Sequence, residues 1–253
     1  MIDLHSHILP GVDDGAENLA AAVEMARSAV EDGIEVLAAT PHVRGDYPTT
    51  AARMEERLAT TRAAIEEAGI PLRLLPGAEI ALDRLPSLGD DELHRLALGG
   101  SGRALLVEFP YTGWPLGLDD QLFRLRARGF RPVLAHPERN AEVQARPERL
   151  RPLVEAGTLV QLTAASVDGR LRRSDEAAAL KLLELELAHL LASDAHAPSI
   201  RQIGMSAAAE AIGDEELARW LTLDVPRALV EDERVPRRPE TRTRKHRLPW
   251  RRN

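Results

Sequence analysis

Short apolar runs of strand length alternate along this chain with segments of helical period, and that alternation leaves few folds open. The opening run through Leu4 and the runs at 34–39, 72–75, 104–107, 132–135, 159–162 and 190–192 read as seven strands. Helical spacing fills the intervals at 17–31, about 50–68, 116–128, 148–155 and 175–187, and again at 206–212 and 215–223. Gly33, Gly69, Gly129 and Gly157 stand where four of these helices should stop. Residues 82–102 are less regular and read as a short helix or hairpin insertion. Repeated strand–helix units imply an α/β fold with a mostly parallel sheet. The count favours a distorted seven-stranded (β/α) barrel, similar to a TIM barrel, in which the C-terminal strand ends would build the active site.

Those strand ends carry nearly all the chemistry. In order they deliver His5 and His7, Asp14, His42, Glu79, Glu108, His136, Asp194 and His196. Residues two apart in a strand face one side, so His5 and His7 can point at a single ion. One His-x-His is a weak signal, and each other residue has a bland reading as a loop histidine, a cap or surface charge. All those readings would have to hold together, at a high desolvation cost for so many ionisable groups at one mouth. Five histidines and four carboxylates are too many for one ion and suit two or three. As borderline-to-hard donors they fit Mn, Fe, Zn or Mg.

Composition sets outer limits. Aromatic residues are 3% of the 253, so Leu, Val, Ala and Ile must build most of the core. No cysteine is present, which excludes a thiolate nucleophile and disulfides and fits a cytoplasmic protein. No run of eighteen apolar residues suggests a membrane span, and the N-terminus lacks the pattern of a secretory signal. The net charge of −7 divides into +7 on residues 237–253 and −14 on the remainder. An acidic body argues against nucleic acid as a partner. Residues 1–235 are expected to form one domain, and 236–253 a basic, disordered tail able to touch an anionic membrane surface or an acidic partner.

Several stretches resemble one family. His-Ser-His-Ile-Leu-Pro-Gly-Val-Asp-Asp-Gly-Ala from His5, Ala-Thr-Pro-His ending at His42 and Gly-Ala-Glu-Ile around Glu79 are similar to the PHP-type bacterial protein-tyrosine phosphatases of the CpsB/CapC kind. So are Ala-His-Pro-Glu-Arg-Asn around His136, Gln-Leu-Thr-Ala-Ala-Ser from Gln161 and Ala-Ser-Asp-Ala-His ending at His196. The resemblance spans about residues 1–205, and Asp-Asp-Gly with His-Pro-Glu-Arg-Asn sets this branch apart from the wider PHP (polymerase and histidinol phosphatase) superfamily.

The resemblance implies a PHP-type barrel and three divalent ions, manganese first, with Fe or Zn as alternatives. It implies that His5, His7, Glu79 and Asp194 hold one ion. Glu79, Glu108 and His136 would hold a second, and Asp14, His42 and His196 a third. Arg139 would bind phosphate. Arg201 would be a second phosphate arginine, although Ser199-Ile200-Arg201-Gln202 departs from the family's usual Gly-Arg-Pro-Phe. The implied reaction is attack of a metal-bound hydroxide on phosphotyrosine, and the implied substrate and partner is a bacterial tyrosine kinase that controls capsular or exopolysaccharide synthesis. No general acid stands out, with His42 or a bound water as candidates. Alternatives are a histidinol-phosphate phosphatase-like enzyme for small molecules, or an inactive metal-binding interaction protein.

Overall fold

Nine β-segments line up where seven strands were expected, because two of the seven are broken. The structure, a computed structural model, describes residues 1–108, 110–197 and 202–240. The segments are β1 (Ile2–Ser6), β2 (Val36–Ala39), β3 (His42–Val43), β4 (Arg73–Leu75), β5 (Glu79–Ala81), β6 (Ala104–Glu108), β7 (Arg131–Ala135), β8 (Leu159–Thr163) and β9 (Leu190–Ala192). All pairings are parallel, in the orders β1-β2-β4 and β3-β5-β6-β7-β8-β9. The second strand position breaks at Thr40-Pro41 between β2 and β3. The third breaks at Pro76-Gly77-Ala78 between β4 and β5. Proline has no N–H to give a ladder, so both strands interrupt at the same level and then resume. Across the break, Glu79 N donates to Pro41 O at 3.1 Å. A Cβ on Gly77 would lie 3.0 Å from Thr40 Cγ2 and 3.1 Å from Leu98 Cδ2, so the neighbouring chain leaves it little room.

The two ladders join again on the far side. Ser6 bridges Ala195 in parallel, His7 N donates to Ala195 O at 2.8 Å, and Asp194 N donates to His5 O at 2.9 Å. Pairing thus passes through seven positions and returns to β1, but the return is one bridge and two hydrogen bonds instead of a regular ladder. The parallel α/β class read from the sequence is the one the chain adopts.

Helices cover the outside. α1 (Leu19–Glu31) is capped by Asn18, whose side chain accepts from Ala21 N, and it buries Ala22, Met25, Ala26 and Ala29. α2 (Ala51–Glu67) is capped by Thr50 and buries Met54, Leu58 and Ile65. The irregular region contains the short helix α3 (Asp90–Leu96) between two 3₁₀ turns. It is followed by α4 (Leu118–Ala127) and then α5 (Ala141–Ala145). Strand interiors are mostly apolar: Leu37, Leu105, Val107, Val133, Leu134, Val160 and Leu190 are all fully buried. Among the described residues no helix is long and apolar enough to cross a membrane.

Part of the expected tail is docked. Trp220 Nε1 donates to Pro236 O at 3.1 Å. The Arg238 guanidinium lies 5.6 Å from the Trp220 ring centroid and donates to Ala188 O and Leu183 O. Residues 241–253 lie outside the described residues.

Candidate metal centre

All nine histidines and carboxylates expected at the strand ends converge on one mouth. Four overlapping groups have ligand atoms within 4.8 Å of one another: His5, His7 and Asp194; His5, Glu79 and His136; His42, Glu79 and Glu108; and His7, Asp14, His42 and His196. Glu79 Oε1 is 2.8 Å from His136 Nε2, while its Oε2 is 2.9 Å from His42 Nδ1 and 3.3 Å from His5 Nε2. It therefore sits at the centre, as expected of a bridging carboxylate. The grouping differs in detail from the one the resemblance implies. Glu108 falls beside His42, at 3.6 Å from Nδ1, and His5 stands with His136 instead. His7 joins the Asp14, His42 and His196 group.

The backbone is shaped to present these groups. His136 and Asp194, just past β7 and β9, both have left-handed backbones, with φ of 32° and 53°. Such conformations cost about 1–3 kcal/mol each in non-glycine residues and persist where the surroundings fix them.

The rings are oriented from behind. His7 Nδ1 donates to Asp13 Oδ2 at 2.7 Å, and His5 Nδ1 donates to Gln161 Oε1 at 3.0 Å. With Nδ1 as the donor in each ring, both Nε2 atoms carry lone pairs. Yet these two Nε2 atoms face each other at 3.2 Å, and both lie 3.4 Å from Asp194 Oδ1. Lone pairs and carboxylate oxygens aimed at one point need a positive charge there. Divalent cations fit this donor set, which is imidazole nitrogen and carboxylate oxygen throughout.

The same crowding shifts the pKa values of these groups in directions that favour opposite charges side by side. Burial opposes charge on His5, but Glu79 and Asp194 outweigh it and raise its pKa. Burial likewise opposes charge on His7, while Asp13 raises its pKa well above the ordinary value. Burial would raise Glu79 and Asp194, yet the neighbouring histidines, His5 foremost, hold both well below the usual carboxylate range. Glu108 moves the other way, pushed up by burial and by Glu79.

Arg139 stands at the edge of the cluster. Its Nη1 donates to Asp194 Oδ2 at 2.8 Å, and its guanidinium lies 4.8 Å from the Tyr111 ring centroid. Opposite, Arg44 approaches Glu108 to 3.6 Å, and Tyr47 stacks 5.8 Å from His42. Arg201 lies outside the described residues.

Several supporting residues were not singled out from sequence. Asp13 serves His7 and also accepts from His42 N and Gly15 N at 2.9 and 3.0 Å. Gln161 is a polar residue in the middle of an apolar strand, which was the available signal. Asp3 lies in the apolar opening run. It is fully buried, accepts from His5 N and Ser193 N, and burial pushes its pKa up to about 6. Glu138, also fully buried, accepts from Thr163 N and Ser166 Oγ and so ties the turn after β7 to the end of β8.

Comparison with known proteins decides the family. The model for capsular polysaccharide synthesis proteins of the CpsB/CapC type matches residues 1–231. The chain belongs to the CpsB/CapC family. Tyrosine-protein phosphatase YwqE of Bacillus subtilis is 39% identical over 198 residues, covering 78% of this chain and 77% of YwqE. Tyrosine-protein phosphatase CpsB of Streptococcus pneumoniae is 28% identical over 246 residues, covering 93% of this chain and all of CpsB. A crystal structure from work on YwqE and CpsB, described as metal-dependent tyrosine phosphatases, superposes with a TM-score of 0.86 at 35% identity. It covers 94% of this chain and 98% of its own. For a CpsB/CapC chain, the motifs read from the sequence now have places. Asp-Asp-Gly folds back on His7, and His-Pro-Glu-Arg-Asn supplies a candidate ligand, a buried clamp, an arginine at the rim and a helix cap.

Proposed function

We propose that this protein is a metal-dependent protein-tyrosine phosphatase, with three divalent ions, manganese first, held by His5, His7, Asp14, His42, Glu79, Glu108, His136, Asp194 and His196. One observation carries the reading: an electron-rich cluster of buried donors aimed at common points stands directly beside a mostly buried arginine, Arg139. The bound ions would supply Lewis acidity and a water acidified towards neutrality.

The chain's own residues do the rest. Arg139 engages two phosphoryl oxygens and stabilises the charge that grows on them in the transition state. Asp194 holds that guanidinium at 2.8 Å, so the arm is already placed when the phosphate arrives. Asp13 and Gln161 fix the His7 and His5 rings so that Nε2 of each stays unprotonated and faces inward. The neighbouring strand ends exclude bulk water from most of the cluster, as eight of its nine residues are buried.

His42 fits the cluster better than the role of general acid. Its two ring nitrogens face carboxylates, Nδ1 towards Glu79 and Glu108 and Nε2 towards Asp14 at 3.5 Å. The leaving group lessens the need for an acid, because a tyrosine phenolate has a conjugate-acid pKa of about 10, far below that of an alkyl alcohol. The natural substrate we propose is a phosphotyrosine protein, a bacterial tyrosine kinase of capsular or exopolysaccharide synthesis. The family's description and its relatives' names support this.

Turnover of a phosphotyrosine peptide and of histidinol phosphate, each with manganese and after exhaustive chelation, tests the reading. Peptide turnover that needs metal and exceeds histidinol phosphate turnover is expected. Peptide turnover that survives chelation would sink the metal role, and preference for histidinol phosphate would sink the tyrosine one.

A further inference from the structure

A cleft of about 520 Å³ opens beside the cluster and shares Glu108 with it. That volume falls within the roughly 300–1,000 Å³ of sites that hold organic ligands. Its walls are Pro110, Tyr111, Pro115 and Leu116 on one side and Ala81 and Leu82 on the other. Leu116, 97% exposed, continues the apolar wall of Pro110, Tyr111 and Pro115 out to the rim. Tyr111 belongs to both places, since its ring lines the cleft and also lies 4.8 Å from the Arg139 guanidinium.

The wall is built in advance. Asn140, next to Arg139, donates to Pro110 O at 2.6 Å and Gly113 O at 3.0 Å. Tyr111 O accepts from Ala141 N at 2.9 Å, and the Arg149 guanidinium packs 4.2 Å from the Trp114 ring centroid. Asn140 Oδ1 also caps α5 by accepting from Glu142 N and Val143 N. One residue therefore fixes the apolar wall relative to the arginine.

We infer that this cleft seats the peptide segment next to the phosphotyrosine, with the substrate ring against Tyr111 and an apolar neighbouring side chain on Leu116 and Pro115. The inference rests on the phosphatase reading above. Charge selects the occupant further. Arg44, the one cation among the described lining residues, gives two of its nitrogens to Asp46 and lies 3.6 Å from Glu108, itself a proposed metal ligand, leaving Asp83 to set the sign of the cleft. An acidic residue beside the phosphotyrosine meets like charge there, whereas leucine at that position buries apolar surface.

The test uses the full chain loaded with manganese and three probes: p-nitrophenyl phosphate, and phosphotyrosine peptides carrying Leu or Glu as the neighbouring residue. For the unaltered protein the Leu peptide should exceed the Glu peptide in kcat/KM. Leu116→Asp should lower the ratio of Leu-peptide to p-nitrophenyl phosphate kcat/KM about tenfold. Leu180→Asp, the same change at a half-exposed leucine that does not line the cleft, should leave that ratio in place. A ratio unmoved by Leu116→Asp, an equal shift in Leu180→Asp, or no preference between the two peptides would overturn the cleft assignment. Failure of the unaltered protein to turn over any probe would instead overturn the phosphatase reading.

Discussion

Replacing Asp13 should weaken metal binding although Asp13 stands behind the ligands. Its carboxylate accepts three hydrogen bonds: from His7 Nδ1 at 2.7 Å, from His42 N at 2.9 Å and from Gly15 N at 3.0 Å. It thus fixes the tautomer of one ligand ring, the backbone of a second, and the turn that presents Asp14. Losing a carboxylate that orients a ligating histidine typically costs 10–100-fold in metal affinity, about 1.4–2.7 kcal/mol. In Asp13→Ala the His7 ring is free to turn and three donors lose their acceptor, so the fold should also lose roughly 2–4 kcal/mol. Asp13→Asn separates the two effects. The amide keeps the shape and one acceptor oxygen but cannot accept on both sides at once, so most of the stability should return while the affinity deficit remains. Competition with a chromophoric chelator measures the manganese affinity, and urea unfolding of the metal-free protein measures stability. If folded Asp13→Asn and Asp13→Ala both bind manganese within twofold of the unaltered protein, the orienting role is wrong.

Three further outcomes follow from the geometry. A methyl group on Gly15 would overlap the His7 carbonyl oxygen and lie 2.5 Å from His7 Cβ, so Gly15→Ala should displace His7 and lower metal content on gel filtration. Arg139→Ala should reduce kcat/KM on phosphotyrosine peptide about 100-fold with metal content unchanged, and an unaltered kcat/KM would remove Arg139 from phosphate binding. His189 predicts an acid-sensitive fold. Its Nδ1 accepts from Val160 N at 3.2 Å, and burial with the nearby Arg238 pushes its pKa down to about 4. The folded state thus holds the ring neutral, and its contribution is complete above the unfolded value of about 6.5 and is lost as pH falls towards 4. The loss should approach about 2–3 kcal/mol, and His189→Asn should flatten that part of the urea-midpoint profile relative to the unaltered protein.

The α/β class and the seven strand positions were legible because each apolar run is short and bounded, and helical periods separate them. The two breaks were visible only as Pro41 and Pro76. A proline after a strand reads equally well as a strand end, and nothing local shows that Glu79-Ile80-Ala81 and His42-Val43 will pair with each other beyond it. The short helices at Ala141–Ala145 and Ala164–Val167 escaped for a related reason. They have too few residues for a period, and α5 depends on a cap, Asn140, that also serves a loop thirty residues earlier.

The candidate ligands were legible and their supports were not, and the difference is physical. A ligand announces itself by type and place: a histidine or carboxylate at the end of an apolar run has no inexpensive bland explanation once eight others do the same. A support is defined by what it touches. Asp13 and Asp14 are adjacent and chemically identical. Asp14 Oδ1 faces the Nε2 atoms of His42 and His196 at 3.5 and 3.4 Å, while the Asp13 carboxylate turns back under His7. Only the fold of the turn, closed by Ala16 N donating to His7 O at 2.9 Å, tells them apart. Gln161 and Asp3 could have been flagged as polar residues inside apolar strands, since burying either without a partner costs several kcal/mol. Their partners, the His5 ring and the His5 backbone, lie 156 residues away for one and 2 for the other. His5 is therefore fixed by one local and one distant support. Any variant that preserves the nine candidate ligands but disturbs Asp3, Asp13 or Gln161 should keep the donor count and lose the arrangement that makes the donors a site.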